Sequence, residues 1–198
     1  MKILGVTGSI GMGKSTVCRM LRTMRVPVHD ADAAVHRLMA PGGRAVQAIA
    51  AAFPGVTTEA GGIDRGRLGA RVIGDDAALK RLEAILHPLV RREERMFLRR
   101  WRLDKCPLVA LDIPLLYETG GERRCDAVLV VSAPYFLQRQ RVLARPGMTE
   151  AKFHGILRRQ MPDAEKRKRA DAVIPSGLGK AVTWRALRRA IGKMRTAR

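Results

Sequence analysis

Asparagine is absent from the 198-residue chain. The guanine-reading motif of GTPases is built on Asn, so this gap removes the common GTPase reading. Aromatic residues are scarce, with two Trp, two Tyr and four Phe, which leaves little material for the stacking platforms of single-strand nucleic-acid binders. Cys18, Cys106 and Cys125 are an odd number with no Cys-x-x-Cys spacing. Neither a disulfide framework nor a zinc site is indicated, and the three are expected as structural thiols. No apolar run approaches the ~18 residues of a membrane span, and the apolar stretch behind Lys2 is too short for a secretory signal. A cytoplasmic protein is expected.

What is abundant is positive charge: 38 Lys and Arg against 18 Asp and Glu give a formal +20. Such a balance invites a polyanionic partner, whether nucleic acid, a phosphorylated metabolite or a membrane surface. The abundance of Arg and Ala beside the missing Asn reads equally as a compositional bias. Hydrophobic residues make up 46% of the chain, close to the average of soluble globular domains, and the length suits one domain carrying a subdomain.

Lys2 to Thr7 is a short apolar, β-branched run that reads as a buried strand. Val26 to Asp30, Pro107 to Pro114, Ala127 to Ala133 and Ala170 to Pro175 read as four more. Helical stretches separate them, which points to crossover connections and a parallel sheet. From Ala33 to Lys105 helical periodicity prevails without a convincing strand. Pro88 interrupts it, and His87-Pro88 is expected to divide two helices. That insertion is too long for one crossover and reads as a helical subdomain. Tyr135 to Lys168 reads as two basic helices around Arg145 to Thr149, either a mobile lid or a solvated pair.

Gly8-Ser-Ile-Gly-Met-Gly13-Lys14-Ser15 satisfies G-x-x-x-x-G-K-[ST] between a strand and the helical spacing of Ser15 to Arg25, the context that confirms a P-loop. Glycines let successive amides turn toward an oxygen cluster, and the helix that follows aims its unpaired N–H groups at the same place. Lys14 is expected on the β- and γ-phosphates, Ser15 on Mg²⁺ and Thr16 on the α-phosphate. Asp112, at the carboxyl end of a strand, is a Walker-B-like metal candidate or a turn-former. Asp30 and Asp32 follow the second strand at the sheet's carboxyl edge, where open α/β proteins place ligands. Either is a candidate proton acceptor, and Asp32 also suits a helix N-cap.

The chain resembles the dephospho-CoA kinase family over nearly its whole length. The resemblance rests on "GVTGSIGMGKSTV", "VHDADAAVHRLMAPGG", "GGIDRGRLGARVIGD", "LEAILHPLV", "LDIPLLYE", "DAVLVVSAP", "QRQRVLAR" and "RADAVI", in that order. It implies an α/β P-loop NTPase fold: a five-stranded parallel sheet flanked by helices, with a helical substrate-binding insertion and a basic helical lid. The core would comprise 1–32, 106–134 and 170–198, the acceptor subdomain 33–105 and the lid 135–169. It implies ATP-dependent phosphorylation of the ribose 3′-hydroxyl of dephospho-CoA, with ATP on Gly11, Met12, Gly13, Lys14, Ser15 and Thr16. Asp32 becomes the base and Asp30 the second choice. Lys14, Arg141 and Arg145 would stabilise the transferring phosphates, and Ser15 and Asp112 would hold Mg²⁺. His87, Pro114, Leu115, Leu116 and Glu118, with Asp30, would line the acceptor site. Pro175-Ser176-Gly177 stands where the family carries an Asn-containing turn near the adenine. The partners expected are ATP and dephospho-CoA, without nucleic acid or membrane, for a monomer or weak homo-oligomer. A nucleoside or nucleotide kinase of similar architecture, and a basic nucleic-acid-binding ATPase, stay open as alternatives.

Overall fold

The computed structural model describes residues 1–196. Five strands, β1 (Lys2–Thr7), β2 (Val28–Asp30), β3 (Leu108–Asp112), β4 (Ala127–Ser132) and β5 (Ala172–Pro175), form one sheet in the order β2-β3-β1-β4-β5. β1 runs parallel to β3 and to β4, and β4 parallel to β5. Every residue of β3 is buried, as are Val128 to Ser132 of β4. Layers on both faces explain why these strands are continuous apolar runs and do not alternate. The expected five-stranded parallel sheet flanked by helices is the architecture observed.

Nine α-helices lie among the described residues: α1 (Lys14–Thr23), α2 (Ala31–Met39), α3 (Val46–Ala52), α4 (Arg65–Val72), α5 (Asp76–Leu103), α6 (Tyr135–Leu143), α7 (Glu150–Arg158), α8 (Asp163–Arg169) and α9 (Lys180–Thr196). None of them is long and apolar enough to cross a membrane. The chain divides into two compact units, one of Met1–His29 with Arg102–Arg198 and one of Asp30–Trp101. The core of the first joins Leu4, Val6, Val17, Leu21, Leu129 and Leu187 across sheet and helices. The core of the second gathers Leu38, Ile49, Phe53, Leu68, Leu82 and Leu86.

Three expectations change. β2 is shorter than the Val26 to Asp30 run, because the Val26 amide donates to the Leu21 carbonyl at 3.0 Å and so belongs to the end of α1, with Arg25 left-handed at φ 57°. α5 does not break at His87-Pro88 but runs through it for 28 residues. The proline forfeits one helical hydrogen bond, yet Leu82 and Leu86 before it and Leu89 and Val90 after it pack into the same core. One continuous apolar face outweighs the local penalty. The basic stretch holds three helices, α6, α7 and α8, since Pro162 precedes α8 with φ −52° and starts a new helix.

Candidate active site

The site is built where β1 ends. β1 lies between β3 and β4, so the chain leaves the sheet there in opposite directions, and the crevice beyond the carboxyl ends of such strands is where α/β folds place ligands. Gly11 and Gly13 have φ of 77° and 86°, a conformation that L side chains rarely adopt. Space demands glycine as well: a Cβ at Gly11 would lie 2.6 Å from Val142 Cγ2, and one at Gly13 3.0 Å from Ser176 Oγ. Gly13 is the N-cap of α1, so the amides of Lys14 and Ser15 have no carbonyl a turn earlier to bond. Open amides and the positive end of α1 together favour an anion.

The loop is held from outside its own sequence. The Ile10 amide donates to Gln160 Oε1 at 3.0 Å, and Gln138 Nε2 donates to the Ile10 carbonyl at 2.8 Å. Ser176 Oγ donates to the Met12 carbonyl at 2.5 Å. Arg141 gives Nη2 to the Ser176 carbonyl at 2.7 Å and Nη1 to Ser176 Oγ at 3.1 Å and the Gly11 carbonyl at 3.4 Å. Met12 is buried, and its sulfur accepts the Ala133 amide at 3.1 Å. Motif reasoning treats Met12 as a free position, singles out the segments of Gln138 and Ser176 without giving either residue a role, and misses Gln160, whose only signal is a polar side chain on a segment that tertiary contacts bring near.

Lys14 Nζ pairs with Asp112 Oδ1. Asp112 closes β3 almost wholly buried, and its Oδ2 accepts from Cys18 Sγ at 3.2 Å. Burial first, and the Asp112 carboxylate second, push the Cys18 thiol far above its ordinary range. Asp112 is thus a carboxylate beside the loop lysine and not a turn residue. Ser15 is exposed at the start of α1. Among the described residues no three His, Cys, Asp or Glu side chains cluster as a metal cage.

The remaining site residues divide between the two units. Pro114 is half-buried and Leu115 is 40% exposed. Leu116, expected on the acceptor, has no exposed surface: it fills the space left by Gly5, where a Cβ would lie 2.8 Å from Leu116 Cδ2. It is a packing residue. Glu118 Oε1 accepts the Met161 amide at 2.8 Å and pairs with Lys166 Nζ at 2.8 Å. Lys166, within the basic stretch read as a lid or a solvated pair, is fully buried. Arg145 is exposed beyond the end of α6. In the other unit, Asp30 and not Asp32 caps α2, its Oδ1 accepting the Ala33 amide at 2.9 Å. Asp32 is an exposed first-turn residue, and His87 is exposed on α5.

The dephospho-CoA kinase family model matches residues 2–179. The chain belongs to the dephospho-CoA kinase family. It is 62% identical over 186 residues to the dephospho-CoA kinase of Rhodospirillum rubrum, covering 94% of this chain and 88% of that one. Its fold is similar to the crystal structure of TT1252 from Thermus thermophilus, with a TM-score of 0.87 and 38% identity over 99% and 98% of the two chains. A dephospho-CoA kinase from Campylobacter jejuni shares the fold at a TM-score of 0.64 and 24% identity, covering 98% of this chain and 97% of that one. The P-loop kinase architecture of the family accounts for the strand, loop and helix around Lys14.

Proposed function

We propose that the chain transfers the γ-phosphoryl group of ATP to the ribose 3′-hydroxyl of dephospho-CoA, releasing ADP and coenzyme A. The observation that carries this reading is the glycine loop ending in Lys14 beside buried Asp112, in a chain whose family match spans residues 2–179. The loop from Gly11 to Thr16 wraps the phosphates, with the open amides of Lys14 and Ser15 aimed at them, and Lys14 moves from Asp112 onto the β- and γ-phosphates. Asp32 takes the proton of the 3′-hydroxyl as its oxygen attacks the γ-phosphorus in line, while the bridging oxygen leaves with ADP. Asp30, held as a cap, positions α2. Arg145, and Arg141 through its hold on Gly11 and Ser176, offset charge on the transferring group.

Mg²⁺ keeps several waters and is bound through one or two protein oxygens plus substrate phosphates. Ser15 Oγ and the Asp112 carboxylate are oxygen donors of that kind, and they fit. The ion would neutralise charge on the β- and γ-phosphates. We place the acceptor on 33–105 with His87, Pro114 and Leu115, assign 135–169 as the lid, and give Glu118, whose carboxylate is taken by Lys166 and the Met161 amide, no contact with the acceptor. Both substrates are soluble small molecules, which suits a cytoplasmic monomer or weak homo-oligomer with no nucleic-acid or membrane partner.

The test mixes protein, Mg²⁺·ATP and dephospho-CoA and follows ADP and coenzyme A, with CMP, AMP and deoxynucleosides as rival acceptors. ADP formation that depends on dephospho-CoA is expected. Preference for a nucleotide acceptor, or ADP formed without any acceptor, overturns the reading. Asp32→Asn is expected to lower kcat by about 10²–10⁴-fold, whereas Asp30→Asn keeps a good cap and most of the activity. The reverse order would exchange their roles.

A further inference from the structure

Lys166 is fully buried, and nothing in the reaction uses it. Its Nζ lies 2.8 Å from Glu118 Oε1 and 3.5 Å from the Pro114 carbonyl oxygen. Each of these oxygens takes a second donor. Glu118 Oε1 accepts the Met161 amide at 2.8 Å, and the Pro114 carbonyl accepts Thr7 Oγ1 at 2.9 Å. Thr7 is the last residue of β1, immediately before the glycine loop. Gln160, next to Met161, receives the Ile10 amide of that loop. A polar ring therefore runs from the loop through Gln160 and Met161 to Glu118, across Lys166 to Pro114, and back through Thr7 to the start of the loop.

A buried ion pair is a weak means of stabilising a fold, because apolar residues of similar volume do as well or better. Its cost is visible here, since Glu118 Oε2 is buried without a hydrogen-bond partner. Direction is what this pair supplies and an apolar contact would not. Two donors converge on one oxygen at each end of the run from Pro114 to Glu118, which fixes both ends of the run relative to β1. Between those ends Leu116 and Tyr117 face the core, and Leu115 remains exposed.

We infer that Lys166 is a positioning residue for the acceptor: it holds Pro114 to Glu118 so that Pro114 and Leu115 present a fixed surface to dephospho-CoA. This inference rests on the activity proposed above. Lys166 has no surface with which to touch a ligand, so it acts only through the segment it anchors.

Steady-state kinetics of the full chain, varying ATP and dephospho-CoA separately, test it, with circular dichroism to verify folding. The unsubstituted protein is assayed first: failure to phosphorylate dephospho-CoA there sinks the proposed activity and is distinct from any result on Lys166. Lys166→Met removes the charge at similar length. Lys166→Met combined with Glu118→Gln removes both charges and keeps the fold if the single variant leaves too costly a carboxylate behind. Expected in the folded variant is a rise in KM for dephospho-CoA of about tenfold, the loss of one charge-assisted hydrogen bond, with KM for ATP changed by less than about twofold. An unchanged acceptor KM, or equal rises in both KM values, overturns the inference. Failure of both variants to fold overturns it too, making Lys166 a folding determinant.

Discussion

Lys14 and Lys166 each pair with a carboxylate, one at the last residue of β3 and the other six residues further on, yet the two pairs live in different surroundings. The Lys14 side chain is 17% exposed and starts a helix whose first amides are open; Lys166 has no exposure at all. Lys14 pairs with Asp112 and stands where an anion is favoured, so a phosphate can take the place of that carboxylate. Lys166 has two acceptors, Glu118 and Pro114, and no exposed surface of its own at which a ligand could replace either. On the proposed reading a lysine–carboxylate pair serves exchange at one place and anchorage at the other, and the enclosure of the lysine decides which.

The largest effect that would break this contrast is on turnover. Lys14→Ala should lower kcat/KM by about 10³-fold, the scale of losing one aimed electrostatic group, while circular dichroism stays that of a folded protein. Near-normal turnover would mean that Lys14 does not exchange its carboxylate for phosphate. Stability sharpens the contrast from the other side. Lys166→Met removes a fully buried donor from two acceptors at once, leaving Glu118 with the Met161 amide alone and the Pro114 carbonyl with Thr7 alone, and should cost about 3–5 kcal/mol in denaturant unfolding, more than Lys14→Met, which takes a donor from Asp112 only. If the Lys14 variant lost more stability, enclosure would not be what separates the pairs.

The smallest effect concerns pH. Burial and the Asp112 carboxylate raise the folded-state pKa of Cys18 above its ordinary value of 9.0. The protonated thiol therefore contributes stability that is complete below that value and is lost as pH rises beyond it, since the unfolded chain gives up the proton first. Cys18→Ala should fall less steeply in stability than the unsubstituted protein between about pH 9 and 10.5. Parallel slopes for the two proteins would show that burial and the Asp112 carboxylate do not hold the proton on Cys18.

How much was legible from residues alone follows from how local each signal is. β1 matches its sequence run from Lys2 to Thr7, because an apolar strand followed by a glycine loop is a contiguous pattern. The glycine loop ahead of α1 was legible for the same reason, with Gly11 and Gly13 in the left-handed region. Pro88 misled, because a proline's effect on its neighbours is local while the core that carries α5 past it is assembled from α2, α3 and α4. The cap on α2 moved from Asp32 to Asp30 for want of the backbone geometry that makes a cap, φ −104° at Asp30. The burial of Lys166 was not legible, since nothing in "DAEKRKR" marks one lysine of a basic helix as buried.

The amino-acid sequence by itself determined the alternation of strands and helices, the anion-binding loop and the family to which the chain belongs, because each is written in short runs whose physics is complete within a few residues. Tertiary structure alone decided which polar groups meet: Asp112 with Lys14 across 98 positions, Gln160 with the Ile10 amide across 150, and Glu118 with a lysine that has left water altogether. Hydrogen bonds and ion pairs act over a few ångströms. Only a finished sheet brings such distant positions within that reach.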